Sequence, residues 1–524
     1  MDQFPHGFGA IVPLDDSHWQ EWGGVWLEGL GQGLQSLDNG FTWWVERVIS
    51  PVLFYDAGTG MPFLVLWLLL GGLFFTLRMG LINLRGFAHA IAVLRGRYDA
   101  ADEVGEVSHF QALSTALSAT IGLGNIAGVA IAIHLGGPGS VFWMTLAALL
   151  GMSNKFVECT LGQMYRVVRP DGTVVGGPMY YLSQGLAERG LGRLGQILAG
   201  MFALFCLLGT LGASTLFQAN QSYQAIATVV PPLADWDWLY GAVLAGLVGL
   251  VLIGGVQRIG WVTSRLVPLM CSLYVGAALW VLLCHVTEIP GAIATIVQGA
   301  FSPQAVEGGF VGVLVQGLRR SVFSNEAGIG SAAIAHAASR TREPIREGIV
   351  AMLEPFIDTV VVCNMTALVV IITGTYRDPA LAGVSGSELT SIAFGSVISW
   401  FPLVLAIAVF CFAFSTVISW GYYGEQSWDY LLGDLGRRTH GLYKLLVLAG
   451  VFIGAIADPQ AVIEFGDGMM LSMAVPNLLG LYLMTGKVTS ELHRYMTRLK
   501  AGAFEPALVS QPVAVERSPV DSRP

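Results

Sequence analysis

Two long apolar stretches of the chain are each interrupted by glycines and polar side chains. The first reads SATIGLGNIAG at 118–128, and the second reads SVFSNEAGIGS at 321–331. Glycine allows unusual backbone angles and lets a ligand approach the main chain closely. A helix broken inside a membrane offers free N–H groups to a carboxylate and unwound carbonyls to a small cation. The stretches predict such a site, and its candidate binding residues are Gly122, Gly124, Asn125, Ser324, Asn325 and Glu326.

A packing role for these residues is the alternative. Glycines four apart, such as Gly124 and Gly128, also form close helix contacts in which polar side chains bond neighbouring helices. The relation between the two stretches favours a binding site, because they lie five predicted spans apart, as the broken helices of inverted repeats do. Glu326 also favours a binding site, since an ionisable group inside a membrane is costly and usually functional.

The elements that carry these residues are membrane spans. Of 524 residues, 54% are hydrophobic and only 12% are charged, whereas soluble domains carry about a quarter charged residues. A bilayer core needs roughly 20 apolar residues per helix, and continuous apolar runs favour helices over barrel strands. The predicted fold class is an all-α integral membrane bundle with about 11 transmembrane helices, at 62–82, 109–134, 141–165, 194–224, 238–256, 264–286, 307–336, 345–373, 395–425, 440–456 and 462–486.

This pattern predicts two repeats. The first, 109–306, contains spans two to six, and the second, 307–490, contains spans seven to eleven. An odd number of spans per repeat inverts the second relative to the first. Residues 62–108 form an extra span with its loop, residues 1–61 an extracytoplasmic segment with an amphipathic interfacial stretch, and residues 491–524 a disordered cytoplasmic tail.

Basic residues predict the orientation. Alternate loops hold nearly all the arginines, while the other loops contain only Arg47 and Arg377. Short loops rich in Lys and Arg stay in the cytoplasm, so the N-terminus is expected outside and the C-terminus inside. The first sixty residues lack the features of a cleavable signal peptide.

At the interrupted stretches the sequence resembles the alanine or glycine:cation symporter family, the sodium:alanine symporters. The resemblance covers about 62–490. It implies a LeuT-type fold of 5+5 inverted repeats with two broken helices, in a prokaryotic plasma (inner) membrane. It also implies inward symport of small neutral amino acids, such as alanine or glycine, with Na⁺ or sometimes H⁺. The motifs that carry it are SATIGLGNIAGVAIAIHLGGPGSVFW (118–143), GMSNKFVE (151–158), GGPMYYL (176–182), RSVFSNEAGIGSAAIAHA (320–337), MLEPFIDTVVVC (352–363) and STVISWGYYGE (415–425).

The resemblance implies further pocket residues. Gln218 on the fourth span and Thr416 and Trp420 on the ninth match positions of the family's substrate pocket, and Phe323 lies in its second broken segment. Leu123 departs from the family, because many members have a hydroxyl residue there. Coordination of a cation at that point would then use the backbone or other spans.

A sodium site is expected beside the first break. Hard oxygen ligands suit a small hard cation, and the hydroxyls of Ser415 and Thr416 are candidates together with the backbone of Gly122. The alternative is that each hydroxyl bonds a carbonyl of its own helix, one turn back. The residues alone leave the two interpretations about equal.

Acidic residues inside spans are candidates for a proton or charge-balancing role. Glu354 and Asp358 lie four apart on one helix face, and Glu326 lies inside the second break. Coupling to H⁺ through these acids is the alternative to Na⁺. A structural role for the pair is equally open, as a partner of Lys155 or of Arg319–Arg320.

Other functional classes have little support. The net charge is −9 without a basic patch, so no nucleic-acid partner is expected. The chain has no HExxH or GxSxG motif, so neither an enzyme nor an organic cofactor is expected. A channel would be expected to show repeated pore-lining rings from several subunits. The expected partners are a small neutral amino acid, Na⁺ or H⁺, and the lipid bilayer.

Overall fold

The computed structural model describes residues 62–99, 103–233, 236–302, 309–381, 386–457 and 459–504, with a few single residues elsewhere. The predicted interfacial stretch in the first sixty residues and most of the predicted tail lie outside these ranges.

Helices dominate the first half of the described chain. A short antiparallel pair of strands, β1 (Val167–Val168) and β2 (Val174–Val175), follows the third predicted span. The helices are α1 (Phe63–Arg78), α2 (Ile82–Arg85), α3 (Phe87–Leu94), α4 (His109–Thr120), α5 (Gly124–Gly136), α6 (Ser140–Met164), α7 (Pro178–Ala187), α8 (Gly192–Val229), α9 (Asp237–Leu252), α10 (Gly255–Cys284) and α11 (Ile289–Phe301).

The second half is also helical, and short 3₁₀ turns connect some of its elements. Its helices are α12 (Gly309–Asn325), α13 (Ala332–Ala337), α14 (Pro344–Ile372), α15 (Gly386–Gly395), α16 (Phe401–Leu432), α17 (Asp434–Arg438), α18 (His440–Ile456) and α19 (Pro459–Lys500). Every predicted span coincides with one helix or with a broken pair, so the all-α membrane class is confirmed.

Six helices within the described ranges are long and apolar enough to cross a membrane. The pair α4 and α5, bent by 51° at a short break, makes a seventh when it is counted as one span. Four apolar helices are shorter, namely α1, α9, α11 and α18. Their lengths do not decide the number of crossings, so the total of about 11 stays a prediction.

Several elements differ from the sequence-based expectation. Helices α3, α7, α11, α15 and α17 occupy segments expected to be loops, because each is shorter than a bilayer-spanning run. Helix α19 continues to Lys500. The beginning of the segment 491–524 is therefore helical, and the prediction of a disordered tail is wrong for this part.

Helix α6 lies at the centre of the bundle and contacts α1, α12, α13 and α14. Glycines on α6 permit the close contact with the segment around α13. A methyl group at Gly151 would lie 2.7 Å from the Cβ of Ala327, and one at Gly162 would lie 2.9 Å from the carbonyl oxygen of Ala333. The second interrupted segment therefore packs directly on the backbone of α6.

The segments before α4 and after α13 meet at one end of the bundle. The amide of Val107 donates to the carbonyl of Ala338 at 3.2 Å, and the amide of Arg340 donates to the carbonyl of Val107 at 2.8 Å. Arg166, just after α6, donates to four carbonyls of these two segments, those of Val104, Ala337, Ser339 and Thr341. The guanidinium of Arg166 thus connects the segment that precedes α4 with the segment that follows α13.

Replacing Arg166 by Lys is expected to loosen this connection, because a lysine ammonium cannot reproduce the planar set of guanidinium donors. The amides of Val107 and Arg340 should then exchange with deuterium about tenfold faster or more. Hydrogen exchange read by mass spectrometry measures this effect, with Arg189→Lys at an exposed arginine as the control. Equal exchange in the two variants would contradict the role of Arg166.

Candidate functional site

The first break separates α4 from α5 at Ile121–Leu123. The side-chain oxygen of Asn125 accepts a hydrogen bond from the amide of Gly122 at 3.0 Å. The first turn of α5, Gly124–Gly128, is a π-helix, a form often found at functional sites. The break is fully buried, so its polar backbone groups need partners inside the protein.

The second break follows Asn325, the last residue of α12. Glu326 has a φ of 57°, in the left-handed region, which residues other than glycine rarely adopt. Asn325 holds the turn, since its side-chain oxygen accepts from the amide of Ala327 at 3.0 Å. Its amide nitrogen donates to the hydroxyls of Ser321 and Thr359, both at 3.0 Å.

Asp358 on α14 bonds both broken segments. Its Oδ1 accepts a hydrogen bond from the Asn125 amide at 2.6 Å. Its Oδ2 accepts from the hydroxyl of Ser324 at 2.5 Å and from that of Thr359 at 2.6 Å. Because the side chain is fully buried, these donors replace the water that a carboxylate would otherwise need. The sequence identified Asp358 as an acid inside a span, but it did not predict these partners.

The two breaks also touch through their backbones. A methyl group at Gly124 would lie 3.2 Å from the Cα of Ser324. The ring of Phe323 packs edge to face on that of Phe217, with 4.9 Å between the ring centres. Residues more than 190 positions apart in the sequence therefore form one buried cluster, as the pairing of the two stretches predicts.

Gln218 and Thr416 lie over Gly122. A methyl group at Gly122 would be 2.6 Å from the Thr416 hydroxyl and 3.3 Å from the Gln218 amide. The Gln218 oxygen accepts from the amide of Leu123 at 3.3 Å, so Gln218 contacts the break itself. The side chain of Leu123 carries no hydroxyl, but its backbone amide is thus hydrogen-bonded to Gln218, a candidate pocket residue.

The two hydroxyls proposed as sodium ligands differ in their partners. Ser415 bonds the carbonyl of Phe412 in its own helix at 2.9 Å, as the packing alternative expects. Thr416 instead donates to the carbonyl of Ser118 in α4 at 3.0 Å. Ser118 in turn donates to the carbonyl of Ser415 at 2.8 Å and accepts from the hydroxyl of Ser419 at 2.9 Å. The oxygens gathered between α4 and α16 include those of Ser118 and Ser419, which sequence reasoning did not select.

Glu326 and Trp420 are direct partners. The indole Nε1 of Trp420 donates to Glu326 Oε1 at 2.9 Å, and the hydroxyl of Ser331 donates to Oε2. The carboxylate thus connects the turn of the second break with α16. Both residues come from the candidate set, and both are almost fully buried.

Glu354 has the structural partner that the sequence left open. Its Oε2 lies 3.0 Å from Lys155 Nζ, and its Oε1 lies 2.6 Å from His336 Nε2. Arg319 and Arg320 pair instead with Asp467 on α19. Glu354 and Asp358 share one helix but have separate partners, so they do not act as one acidic pair.

His336 and Glu347 were missed by the sequence analysis. His336 Nδ1 lies 2.5 Å from Glu347 Oε1, so both imidazole nitrogens contact carboxylates. The ligand atoms of Cys159, His336 and Glu354 lie within 4.8 Å of one another. With the Lys155 ammonium beside Glu354, a metal cation would be repelled there. The sequence feature that could have indicated this cluster is the position of His336 inside the second apolar stretch, only ten residues after Glu326.

Residues 45–509 match the sequence model of the sodium:alanine symporter family. The chain belongs to this family. The match includes both breaks, Gln218 and the whole of α16, so every candidate residue described above lies inside the family region.

Several named transporters are similar to this chain over most of their length. The sodium/alanine symporter AgcS of Methanococcus maripaludis is 40% identical over 82% of this chain and 93% of its own. The probable sodium/glutamine symporter GlnT of Bacillus subtilis is 35% identical over 84% and 89%. The putative sodium/proton-dependent alanine carrier protein YrbD of Bacillus subtilis is 34% identical over 84% and 90%.

The fold of this symporter family member has a solved counterpart. The crystal structure of MhsT in complex with L-phenylalanine aligns with a TM-score of 0.50, covering 74% of this chain and 92% of that one at 14% identity. At this identity the likeness concerns the fold alone. The LeuT-type architecture expected from the sequence is confirmed.

Asp358→Asn is expected to destabilise the protein, since its amide nitrogen cannot accept and would take the place of the acceptor either for Asn125 or for Ser324 and Thr359. Hydrogen bonds to a buried charge are worth about 1.5–3 kcal/mol each, so a loss of about 3 kcal/mol is expected. The midpoint of thermal unfolding measures it. Asp378→Asn, at an exposed aspartate, is the matched control and should change the midpoint little; equal midpoints for both variants would refute the bridging role.

Proposed function

We propose that the protein is a Na⁺-coupled symporter that moves small neutral amino acids, alanine or glycine, into the cell by alternating access. The observation that carries this proposal is the meeting of the two broken helices, with Gly124 against Ser324 and with Gln218 and Thr416 over Gly122. The family supports it, as do the relatives named for sodium/alanine and sodium/glutamine symport. The proposed location is a prokaryotic inner membrane, with the N-terminus outside.

The two ends of an amino acid suit the two breaks. The substrate carboxylate would meet the backbone around Gly122–Asn125, at the positive N-terminal end of α5. The ammonium would meet Gln218 and the carbonyls and side chains of Phe323–Glu326. Both charged ends would then be bonded away from water, as a buried zwitterion requires.

The surroundings of Gly122 favour a small substrate. Thr416 and Gln218 leave no room even for a methyl group on that glycine, and at Gly124 of the same break the ring of Phe323 lies close and packs on that of Phe217. A large side chain on the substrate would have to displace several buried groups. Alanine and glycine require the least displacement.

Sodium would bind beside the first break. Thr416 already directs its hydroxyl at α4, and the carbonyls of Ser118 and Gly122 lie in the same region. Ser415 would add a second hydroxyl if it gave up its hydrogen bond to the Phe412 carbonyl. Ion and substrate would share the first break, so each would stabilise the other's bound state, by roughly 1–3 kcal/mol in typical linked systems.

Uptake of labelled alanine into proteoliposomes tests the proposal. An inward Na⁺ gradient is expected to drive uptake that an equal K⁺ gradient at constant pH and voltage does not, and unlabelled glycine should compete. Gln218→Ala should lower this uptake strongly. Equal uptake in K⁺ that rises at acid pH would replace Na⁺ by H⁺ as the coupling ion, and absence of uptake for all small amino acids would reject the substrate class.

Gly122→Ala provides a sharper test of the site. The added methyl group would collide with Thr416 and Gln218, and overpacking of this kind costs about 1–3 kcal/mol. Uptake should therefore fall about tenfold. Gly200→Ala on α8 is the matched control, because a methyl group there meets no atom within 4 Å. Similar losses in both variants would show that the first break is not the site.

A further inference from the structure

A chain of acids and imidazoles leads from the surface towards the second break. His109, the first residue of α4, has its Nε2 3.9 Å from Asp99 and its Nδ1 on Glu347. Glu347 on α14 contacts His336 Nδ1 at 2.5 Å. His336 Nε2 contacts Glu354 at 2.6 Å, and Glu354 contacts Lys155 at 3.0 Å. We call the sequence Asp99, His109, Glu347, His336, Glu354 and Lys155 the acid–imidazole chain.

The two ends of this chain have different environments. The Asp99 side chain is 53% exposed, whereas that of His109 is 3% exposed and those beyond it are fully buried. Asp99 lies in the loop before α4, on the side that the arginines predict to be cytoplasmic. Lys155 lies at the inner end, where its ammonium is near enough to Glu326 of the second break to interact with it electrostatically. The chain thus connects solution with the candidate site.

We propose that the acid–imidazole chain transfers protons between the solution at Asp99 and the Lys155–Glu354 pair, and that binding of Na⁺ releases a proton along it. The coupling to Na⁺ rests on the function proposed above. Buried chains of Asp, Glu and His residues are a known form of proton relay in membrane proteins.

The contacts allow each transfer to balance. On outward transfer from a state with neutral imidazoles, the Lys155 ammonium gives a proton to Glu354 and Glu354 passes a proton to His336 Nε2, while the proton on His336 Nδ1 moves to Glu347. Glu347 passes a proton to His109 Nδ1, and His109 releases one from Nε2 to a water that would bridge the 3.9 Å to Asp99. Each imidazole accepts at one nitrogen and donates from the other, and Glu347 does the same with its two carboxyl oxygens.

The charges in the chain suggest why Na⁺ would release a proton. With neutral imidazoles, three carboxylates face one ammonium, so the acid–imidazole chain carries two net negative charges and gains a third when Lys155 gives up a proton. An additional cation at the breaks raises the energy of such a proton, because charges interact strongly in a low-dielectric interior. Within the described residues, the other titratable or charged groups that interact with members of the acid–imidazole chain are Glu158, Cys159, Arg166, Glu326, Arg346, Asp358 and Tyr423.

A purely structural network is the competing explanation. Lys155 needs only one carboxylate for neutrality, and Glu354 supplies it. The two imidazoles, each between two acids, are not required for that pairing. A static network would keep its protons when the solution changes, whereas a relay must exchange them with the solution.

The first test does not depend on transport. Infrared difference spectra of the purified full-length protein are recorded after a step in buffer pH. Reversible changes are expected in carboxyl and imidazole bands of the buried chain. Glu347→Gln, which keeps the side-chain shape but interrupts proton transfer, should abolish the changes of His336 and Glu354. His109→Gln is a second interruption nearer the surface.

His285→Gln is the matched control. His285 follows α10, away from the acid–imidazole chain, and its Nδ1 contacts the Val281 carbonyl at 3.0 Å, so this variant should retain the changes of the wild type. Chain bands that do not respond to pH in the wild type would overturn the relay. An equal response in Glu347→Gln would also overturn it.

The second test measures the coupling. Na⁺ or K⁺ is added to weakly buffered protein containing a pH-sensitive dye, and proton release is expected with Na⁺ only and is lost in Glu347→Gln. Alanine uptake is measured in parallel. Na⁺-driven uptake without proton release in the wild type would overturn the coupling. A chain that responds to pH in a protein without Na⁺-driven uptake would support the relay and reject the proposed symport.

Discussion

The buried carboxylate of Asp358 is the interaction on which the centre of the molecule depends. Breaking a helix inside a membrane exposes backbone groups that lipid cannot satisfy. Here side-chain amides satisfy part of that demand, since Asn125 bonds the first break and Asn325 the second. Asp358 then accepts bonds from both sides, through Asn125 and Ser324. One residue of α14 is thereby hydrogen-bonded to two segments that belong to different predicted repeats.

Other buried charges are compensated locally. Asp467 faces Arg319 and Arg320, and Lys155 faces Glu354. Isolated charges at this depth would be very costly. Because the partners come from different helices, each pair also restrains how those helices move relative to one another. The buried ion pairs therefore connect different helices, in addition to forming candidate sites.

The sequence predicted the fold well wherever the signal was local. Apolar runs located the long helices, and the glycine-rich stretches located both breaks. The failures have physical causes. Helices α11 and α15 are too short for a span-length signal, and α19 continues past its apolar run through polar residues that favour helix without favouring membrane. Periodicity and hydropathy do not report such a continuation.

The site was predicted less completely. Gln218, Thr416 and the break residues were identified from residue types, spacing and family resemblance, and they lie together. The choice between the packing and ligand interpretations of Ser415 and Thr416 depended on which carbonyl each hydroxyl faces. The partners of Lys155 depended on which helix packs against α6. Such contacts join residues as far apart as His109 and Glu347, and a single sequence carries no signal of that proximity.

The length of helix α19 has a consequence for imaging the molecule. Its 42 residues measure about 63 Å at 1.5 Å per residue, roughly twice the hydrocarbon thickness of a bilayer. Its final turns are bonded to neighbouring segments, through Lys487 to Glu188, Tyr495 to His89 and Arg498 to Glu343. A rigid protein fused as a continuous helix after Lys500 would have a fixed orientation relative to the bundle. Such a fusion would provide a fiducial for particle alignment in single-particle imaging.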